Sequence, residues 1–323
     1  MSVSIVVPCY RSAGTLPTLV ARVNEVMPRV AAAYEVILVV DSTGDGTWEV
    51  AQELAETSGP VRAIQMARNY GQHNAIVAGV RAARYDVVVT MDDDLQHLPE
   101  QIPVLLGALT AGVDLVYGLP VEEEHGFLRS LASRGVKAGL SSAMGVNNAR
   151  NVSAFRAFRT FLRNGFDLVS GPHVCVDVAL SWATTRVTAV KVQMADRTEG
   201  QSGYTLRGLM RHTTNMVVGF STAPLRMVTY LGFAIGATGL VLFARLIWLY
   251  LTGATTVAGF TTISAMVAMF SSAQMIAIGM LGEYVGRIHA AGMGRPTYVI
   301  RERAEGPVRQ LELVHGAVSG PEA

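Results

Sequence analysis

The stretch VVVTMDDDLQHLPE (87–100) decides how the chain is read. An apolar run climbs to Met91 and then meets three adjacent aspartates, Asp92, Asp93 and Asp94, whose like charges repel. A short continuous apolar run bounded by turn-forming residues is a buried strand, so the acidic cluster falls at a strand's carboxyl end. If the backbone stays extended there, Asp92 and Asp94 share one side and Asp93 faces the other. Carboxylates in this position suit Mg2+ or Mn2+, which take oxygen ligands, commonly one or two carboxylates with substrate phosphates. Taken alone, the run reads equally well as a solvated acidic turn opening a helix near Pro99.

Outward from this strand the same pattern repeats. SVSIVVP (2–8), EVILVVD (35–41), VRAIQMA (61–67) and DLVYG (114–118) are further strand-like runs, and 15–33 and 73–83 have helical spacing. Buried strands separated by helices predict an α/β fold with a parallel sheet covered on both faces. Such sheets bind ligands beyond the carboxyl ends of their strands, where Pro8, Asp41, Arg68 and Asp92 fall. Each of those ends carries ligand chemistry. IVVPCYRS (5–12) offers Tyr10, whose ring can face a base, and VVDSTGDGT (39–47) sets Asp41 before a Gly- and Asp-rich turn that can approach a ligand closely. ARNYGQHNA (67–75) sets Arg68 before a helix starting near Gly71, a combination suited to phosphate.

The 323 residues are 50% hydrophobic and 16% charged, with mean hydropathy +0.33. Soluble domains carry about a quarter charged residues, so a membrane portion is expected. The net charge of +1 gives no reason to expect nucleic acid, which is met by strongly basic faces. Cys9 and Cys175 form no CxxC pair, which argues against zinc, redox and disulfide frameworks. No basic segment precedes an apolar one at the start, so no signal peptide is expected.

Two apolar stretches, 227–250 and 257–281, hold one charge between them, Arg245. The first, about 24 residues, reaches ~36 Å as a helix against a hydrocarbon core of ~30 Å. Arg207, Arg211 and Arg226 precede the pair, and Arg287, Arg295 and Arg301 follow it. The positive-inside rule puts both flanks in the cytoplasm. The alternative is a helical hairpin buried in a soluble core. Arg245 is expected to snorkel to the far headgroups. Residues 205–220, with Arg207 and Arg211 beside Leu206, Leu209 and Met210, read as an amphipathic interface helix or an ordinary packed one.

Taken together, RNYGQHNAIVAG (68–79), MDDDLQHLPEQIP (91–103), APLRMVTYLG (223–232), LGEYVGRI (281–288) and RPTYV (295–299) resemble the family-two glycosyltransferases with a GT-A fold. Within them the chain is similar to the polyprenyl-phosphate glycosyltransferases, the group of dolichyl-phosphate mannose synthase, and particularly to the bacterial transferases of aminoarabinose (4-deoxy-4-formamido-arabinose) to undecaprenyl phosphate. The resemblance implies a Rossmann-like, mostly parallel GT-A domain over 1–204, an interface helix over 205–223, a two-helix transmembrane hairpin over 224–285 and a cytoplasmic tail over 286–323.

It also implies roles. Pro8, Tyr10, Asp41, Arg68 and Asp92 contact the donor nucleotide, with a UDP-sugar favoured. Asp92, Asp94 and Gln96 hold Mg2+ or Mn2+ against the diphosphate. RTEGQSGY (197–204) matches an Arg-x-x-Gly-x-Ser-x-Tyr segment, so Arg197, Ser202 and Tyr204 close over donor phosphate or acceptor. Arg129 and Arg156 meet the acceptor phosphate, and Asp177 or Asp167 assists as a base. Asp93 stands where relatives often have a small residue, so its charge is expected to be incidental, and His97 is expected as a helix-entry residue.

The chain departs from the family pattern at Arg11 and Ser12, at Val40, at Leu119 and Pro120, at Gly203, and in lacking Asp between Asp114 and Asp167. These departures lie mainly on the sugar and acceptor side. The implied reaction is an inverting transfer from a nucleotide sugar to a polyprenyl phosphate at a bacterial inner membrane, by a multi-pass protein with its catalytic domain cytoplasmic and compatible with a homo-oligomer. The rival readings are a polysaccharide synthase and a non-catalytic membrane scaffold on a degenerate nucleotide-sugar fold.

Overall fold

The structure is a computed structural model that describes residues 1–41, 44–121, 152–166, 174–195, 223–253 and 259–306. One eight-stranded sheet organises the α/β part. Its strands are β1 (Ser2–Cys9), β2 (Ala33–Val40), β3 (Val61–Met66), β4 (Val87–Thr90), β5 (Leu115–Pro120), β6 (Arg156–Arg159), β7 (Val187–Val192) and β8 (Ile300–Glu305), in the order β7-β5-β6-β4-β1-β2-β3-β8. β4, β1, β2 and β3 run parallel, as do β5 and β7, while β6 and β8 run antiparallel to their neighbours. The mostly parallel sheet expected from the apolar runs is therefore present.

Both faces are buried because the strand residues alternate between two apolar layers. Ile5, Val7, Leu38 and Val40 face α1 (Leu16–Val26), α2 (Thr47–Thr57) and α4 (Ile102–Ala108). Val6, Ile37 and Val39 face α3 (Gln72–Ala82) and α5 (Val176–Ala183). α3 comes unusually close to the sheet at Gly79, where an added Cβ would lie 2.3 Å from Val6 Cγ1. The helix predicted over 15–33 is shorter than expected. It gives way to a 3-10 turn at Met27–Arg29, because Pro28 has no N–H to continue the α ladder.

The strands missed by pattern reading are β6, β7 and β8. RAFR (156–159) and IRERAE (300–305) carry too many charges to look like sheet. Both are accommodated by ion pairs. Arg62 reaches Glu35 at 2.7 Å and Glu305 at 2.9 Å, Arg84 reaches Glu305 at 2.9 Å, and Ser4 Oγ donates to Glu35 Oε1 at 2.7 Å. This network ties β8 across β3 at the rim opposite the β4 carboxyl end. Part of the segment expected as a tail (286–323) is thus a strand of the sheet.

α6 (Ala223–Leu251) and α7 (Phe260–Gly292) stand outside that core. They touch where a Cβ on Gly239 would lie 3.1 Å from the Phe270 ring. Among the described residues one helix is long and apolar enough to cross a membrane, Met227–Leu249, and none of its most apolar stretch is buried inside the protein. A core helix of a soluble domain would be packed on all sides. The second expected span, 257–281, falls mostly on α7, which runs on through Glu283 and His289. The expected interface helix lies outside the described residues.

Candidate active site

The ends of β4, β1, β2 and β3 lie side by side, so the loops that follow them form one rim. At the β2 end, Asp41 accepts the backbone N–H groups of Tyr70 (2.7 Å) and Gly71 (2.6 Å), one on each carboxylate oxygen. Gly71 has φ +91, a conformation open to glycine, and this turn aims both N–H groups at Asp41 as α3 begins. Burial raises the Asp41 pKa and the two N–H donors oppose that rise. Arg68 stacks over the Tyr70 ring at 4.5 Å. At the β1 end, Pro8 is buried within the sheet opposite Val39, and the group left at the surface is Tyr10, 50% exposed.

The acidic loop is closed by its own residues. The Asp92 N–H donates to His97 Nδ1 at 2.9 Å, the Gln96 N–H donates to Asp94 Oδ1 at 3.1 Å, and Leu95 between them takes φ +63. His97 is buried and stacks on Phe155, with ring centroids 5.1 Å apart. Burial pushes its pKa down to about 4, so the neutral ring can accept the Asp92 N–H. His97 is therefore the clamp of the acidic loop, a role its expected place at a helix entry did not suggest.

The three aspartates have different partners. Asp92 Oδ1 accepts Gln72 Nε2 at 2.6 Å, whereas Asp93 Oδ2 accepts the Tyr10 N–H at 2.9 Å. Asp93 thus fastens the β1 loop to the β4 loop, a role for its side chain that the sequence did not suggest. Burial lifts both Asp92 and Asp93 to about 6, and the charge of Asp94 adds to the rise at Asp92. Asp92 and Asp94 are two hard oxygen donors that repel each other, which fits a divalent cation completed by substrate phosphates. Among the described residues no group of three or more His, Cys, Asp or Glu side chains gathers as a metal cage. The fit is to a cation shared with substrate.

Behind the acidic loop, Arg156 on β6 is 1% exposed. Its Nε donates to Thr90 Oγ1 at 3.0 Å and its Nη1 pairs with Asp177 Oδ1, which also accepts the Tyr117 hydroxyl at 3.2 Å. The Arg156 charge also favours the ionised form of Asp92. Two residues singled out in the sequence, Arg156 and Asp177, thus meet in one buried cluster. Arg156 is enclosed, bonded on one side to Thr90 and on the other to Asp177. Asp177 is engaged by the buried Arg156 guanidinium and the Tyr117 hydroxyl.

Arg129, Arg197, Ser202 and Tyr204 lie outside the described residues. The approach to the 197–204 segment is visible: the Ala195 N–H donates to Gln96 O at 3.0 Å, and Met194 bridges His97. Met194 and Ala195 therefore lie beside the acidic loop. Sequence reasoning missed Gln72, Tyr117 and the clamp function of His97. Gln72 had a readable signal, a polar side chain directly after the glycine that starts a helix at the rim. Tyr117 had none, since its partner is 60 residues away in sequence.

Residues 4–166 match Glycosyl transferase family 2. The chain belongs to that glycosyltransferase family. Over 303 residues, 93% of each chain, it is 31% identical to the undecaprenyl-phosphate 4-deoxy-4-formamido-L-arabinose transferase of Aeromonas hydrophila and 33% identical to that of Proteus mirabilis. A solved structure of glucosyl-3-phosphoglycerate synthase from Mycobacterium tuberculosis, with Mn2+, uridine diphosphate and glucosyl-3-phosphoglycerate, covers 68% of this chain and 79% of its own, at 18% identity and TM-score 0.48.

Proposed function

We propose that this glycosyltransferase moves a sugar from a nucleotide-sugar donor to a polyprenyl phosphate at the cytoplasmic face of a bacterial inner membrane. The observation that carries the reading is the pair Asp92 and Asp94, set by the His97 clamp at the rim where four parallel strands end. The likeness to undecaprenyl-phosphate transferases over 93% of the chain supports the acceptor class. The sugar itself is left to experiment, because the departures at Leu119, Pro120 and Gly203 fall on the sugar and acceptor side.

In this reading Tyr10, Asp41 and Arg68 border the nucleotide. Asp92 and Asp94, with Gln96, hold Mg2+ or Mn2+, which would stabilise charge on the departing diphosphate. Arg156 acts from beneath, its fixed charge offsetting part of the repulsion between the two carboxylates. The acceptor is a phosphate monoester with a second pKa of about 6, largely dianionic at neutral pH. It can attack the anomeric carbon directly, with inversion, and needs little help from a base. That removes the need for Asp177 in that role. Arg129, Arg197, Ser202 and Tyr204 are the proposed partners of acceptor and donor phosphates, and the two expected spans, 227–250 and 257–281, hold the domain against the bilayer.

The test is direct. Purified full-length protein is incubated with a panel of nucleotide sugars, undecaprenyl phosphate and Mg2+ or Mn2+, and lipid-linked sugar is measured. Product from one donor supports the reading. Folded protein that yields no lipid-linked product from any donor overturns it.

A further inference from the structure

We propose that Gln72 is a positioning residue for the metal, setting through its hydrogen bond to Asp92 which carboxylate oxygen faces the cation. The inference rests on the reading of Asp92 and Asp94 as the metal pair and adds to it a residue from a different loop. Gln72 Nε2 donates to Asp92 Oδ1 at 2.6 Å, across 20 residues of sequence.

Asp92 is held at two points. Its N–H donates to His97 Nδ1 at 2.9 Å, which fixes the backbone. A carboxylate with a fixed backbone can still turn about its side-chain torsions, and each turn changes the oxygen it presents. The Gln72 bond selects one arrangement by occupying Oδ1. Oδ2 lies 3.8 Å from His97 Nδ1, but that nitrogen already accepts the Asp92 N–H and has no proton to donate. Oδ2 is therefore the oxygen left for a cation shared with Asp94.

Gln72 can act in this way because its own place is rigid. It is the first residue of α3, directly after Gly71, whose φ of +91 turns the chain into the helix. Asp41 holds the N–H groups of Tyr70 and Gly71 at 2.7 and 2.6 Å. The Asn74 and Ala75 N–H groups in turn donate to Gly71 O at 3.0 and 3.1 Å. A side chain on an element fixed like this is more precisely aimed than one on a free loop. The path from Asp41 through Gly71 and Gln72 to Asp92 joins the β2 end to the β4 end, the nucleotide and metal sides of the proposed site. Gln72 is exposed, so no packing requirement dictates its identity.

Partners that orient metal ligands are worth about 10–100-fold in metal affinity. The experiment therefore measures binding as well as turnover. Full-length protein in detergent is dialysed to equilibrium against Mn2+, with and without uridine diphosphate, and retained Mn2+ is counted. Gln72→Met keeps the length of the side chain and removes the donor, and Gln72→Ala removes both. Each should bind Mn2+ about 10–100-fold more weakly than wild type. Each should unfold at the wild-type temperature, since Gln72 is exposed. In turnover, the half-saturating Mn2+ concentration should rise by the same factor while KM for undecaprenyl phosphate stays unchanged, a split that a merely structural defect would not produce. Wild-type retention of Mn2+ in both variants, or weaker retention with a lowered unfolding temperature in both, overturns the proposal and leaves the metal pair standing. If one variant alone unfolds early, the other decides. Wild-type protein that retains no Mn2+ overturns the proposal together with the metal reading of Asp92 and Asp94.

Discussion

The backbone N–H of Tyr10 donates to Asp93 Oδ2 at 2.9 Å, joining the loop after β1 to the loop after β4. That bond separates the three aspartates by function. Asp93 serves the architecture of the rim, while Asp92 and Asp94 are the pair proposed to hold the metal. Asp93 is held at a pKa of about 6 by burial, against an ordinary value of 3.8. Its folded pKa is thus above its unfolded one. The native state binds more protons than the unfolded chain between about pH 4 and 6, and stability falls as pH rises through that window. Asp93→Asn keeps an acceptor for the Tyr10 N–H and removes the titration. Denaturant unfolding in metal-free buffer should show the variant gaining on wild type by up to ~3 kcal/mol between pH 4 and pH 7. A difference that is flat with pH would refute this account of Asp93.

Asp94 tests the metal. Its Oδ1 accepts the Gln96 N–H, a bond that Asn can also receive, so Asp94→Asn preserves the loop and removes a charge. Losing one of two carboxylates should lower turnover by ~100-fold or more, the scale of removing a transition-state charge stabiliser. It should also raise the Mg2+ or Mn2+ concentration needed for half-maximal rate. EDTA should abolish turnover in the wild type. Retention of wild-type turnover in the variant would remove Asp94 from the mechanism.

The Arg156–Asp177 pair tests whether Asp177 is a base or a structural partner. Asp177→Asn leaves a buried guanidinium without its counter-charge, which should cost ~3–5 kcal/mol of stability. If Asp177 is a structural partner, the pH dependence of the residual activity should keep the wild-type shape. Loss of one limb of the pH–rate profile in a variant with undiminished stability would restore Asp177 as a base.

At the opposite rim, Arg62 bridges Glu35 and Glu305. Arg62→Met removes the partner of Glu35, 4% exposed, and should destabilise the domain by ~3–5 kcal/mol. Glu305→Gln, at a more exposed partner, should cost less, on the order of 1 kcal/mol. Thermal unfolding of the two variants should rank them in that order. The reverse ranking would show that β8, rather than the buried Glu35, governs stability there.

Much of this was legible from sequence. The apolar runs at β1 to β5 required a parallel sheet because only a strand covered on both faces tolerates uninterrupted hydrophobes. Period-two geometry set Asp93 apart from Asp92 and Asp94, and the structure gives Asp93 a partner of its own, the Tyr10 N–H. The strand-end positions of Tyr10, Asp41, Arg68 and Asp92 followed from the same pattern. β6 and β8 were hidden because their charges are neutralised by partners distant in sequence, Asp177 for Arg156 and Arg62 for Glu305.

By itself, then, the sequence determined strands β1 to β5, the rim and the family, since these depend on local patterning and short motifs. Only the tertiary structure decided how the charges are used. It buried Arg156 against Asp177, gave Asp93 to Tyr10 and made His97 a neutral clamp. It also brought Gln72 to Asp92. A charged side chain reads the same in a sequence whether it faces water, a buried counter-ion or an open cavity. Burial and the partner across space set its free energy, and both appear only once the chain is folded.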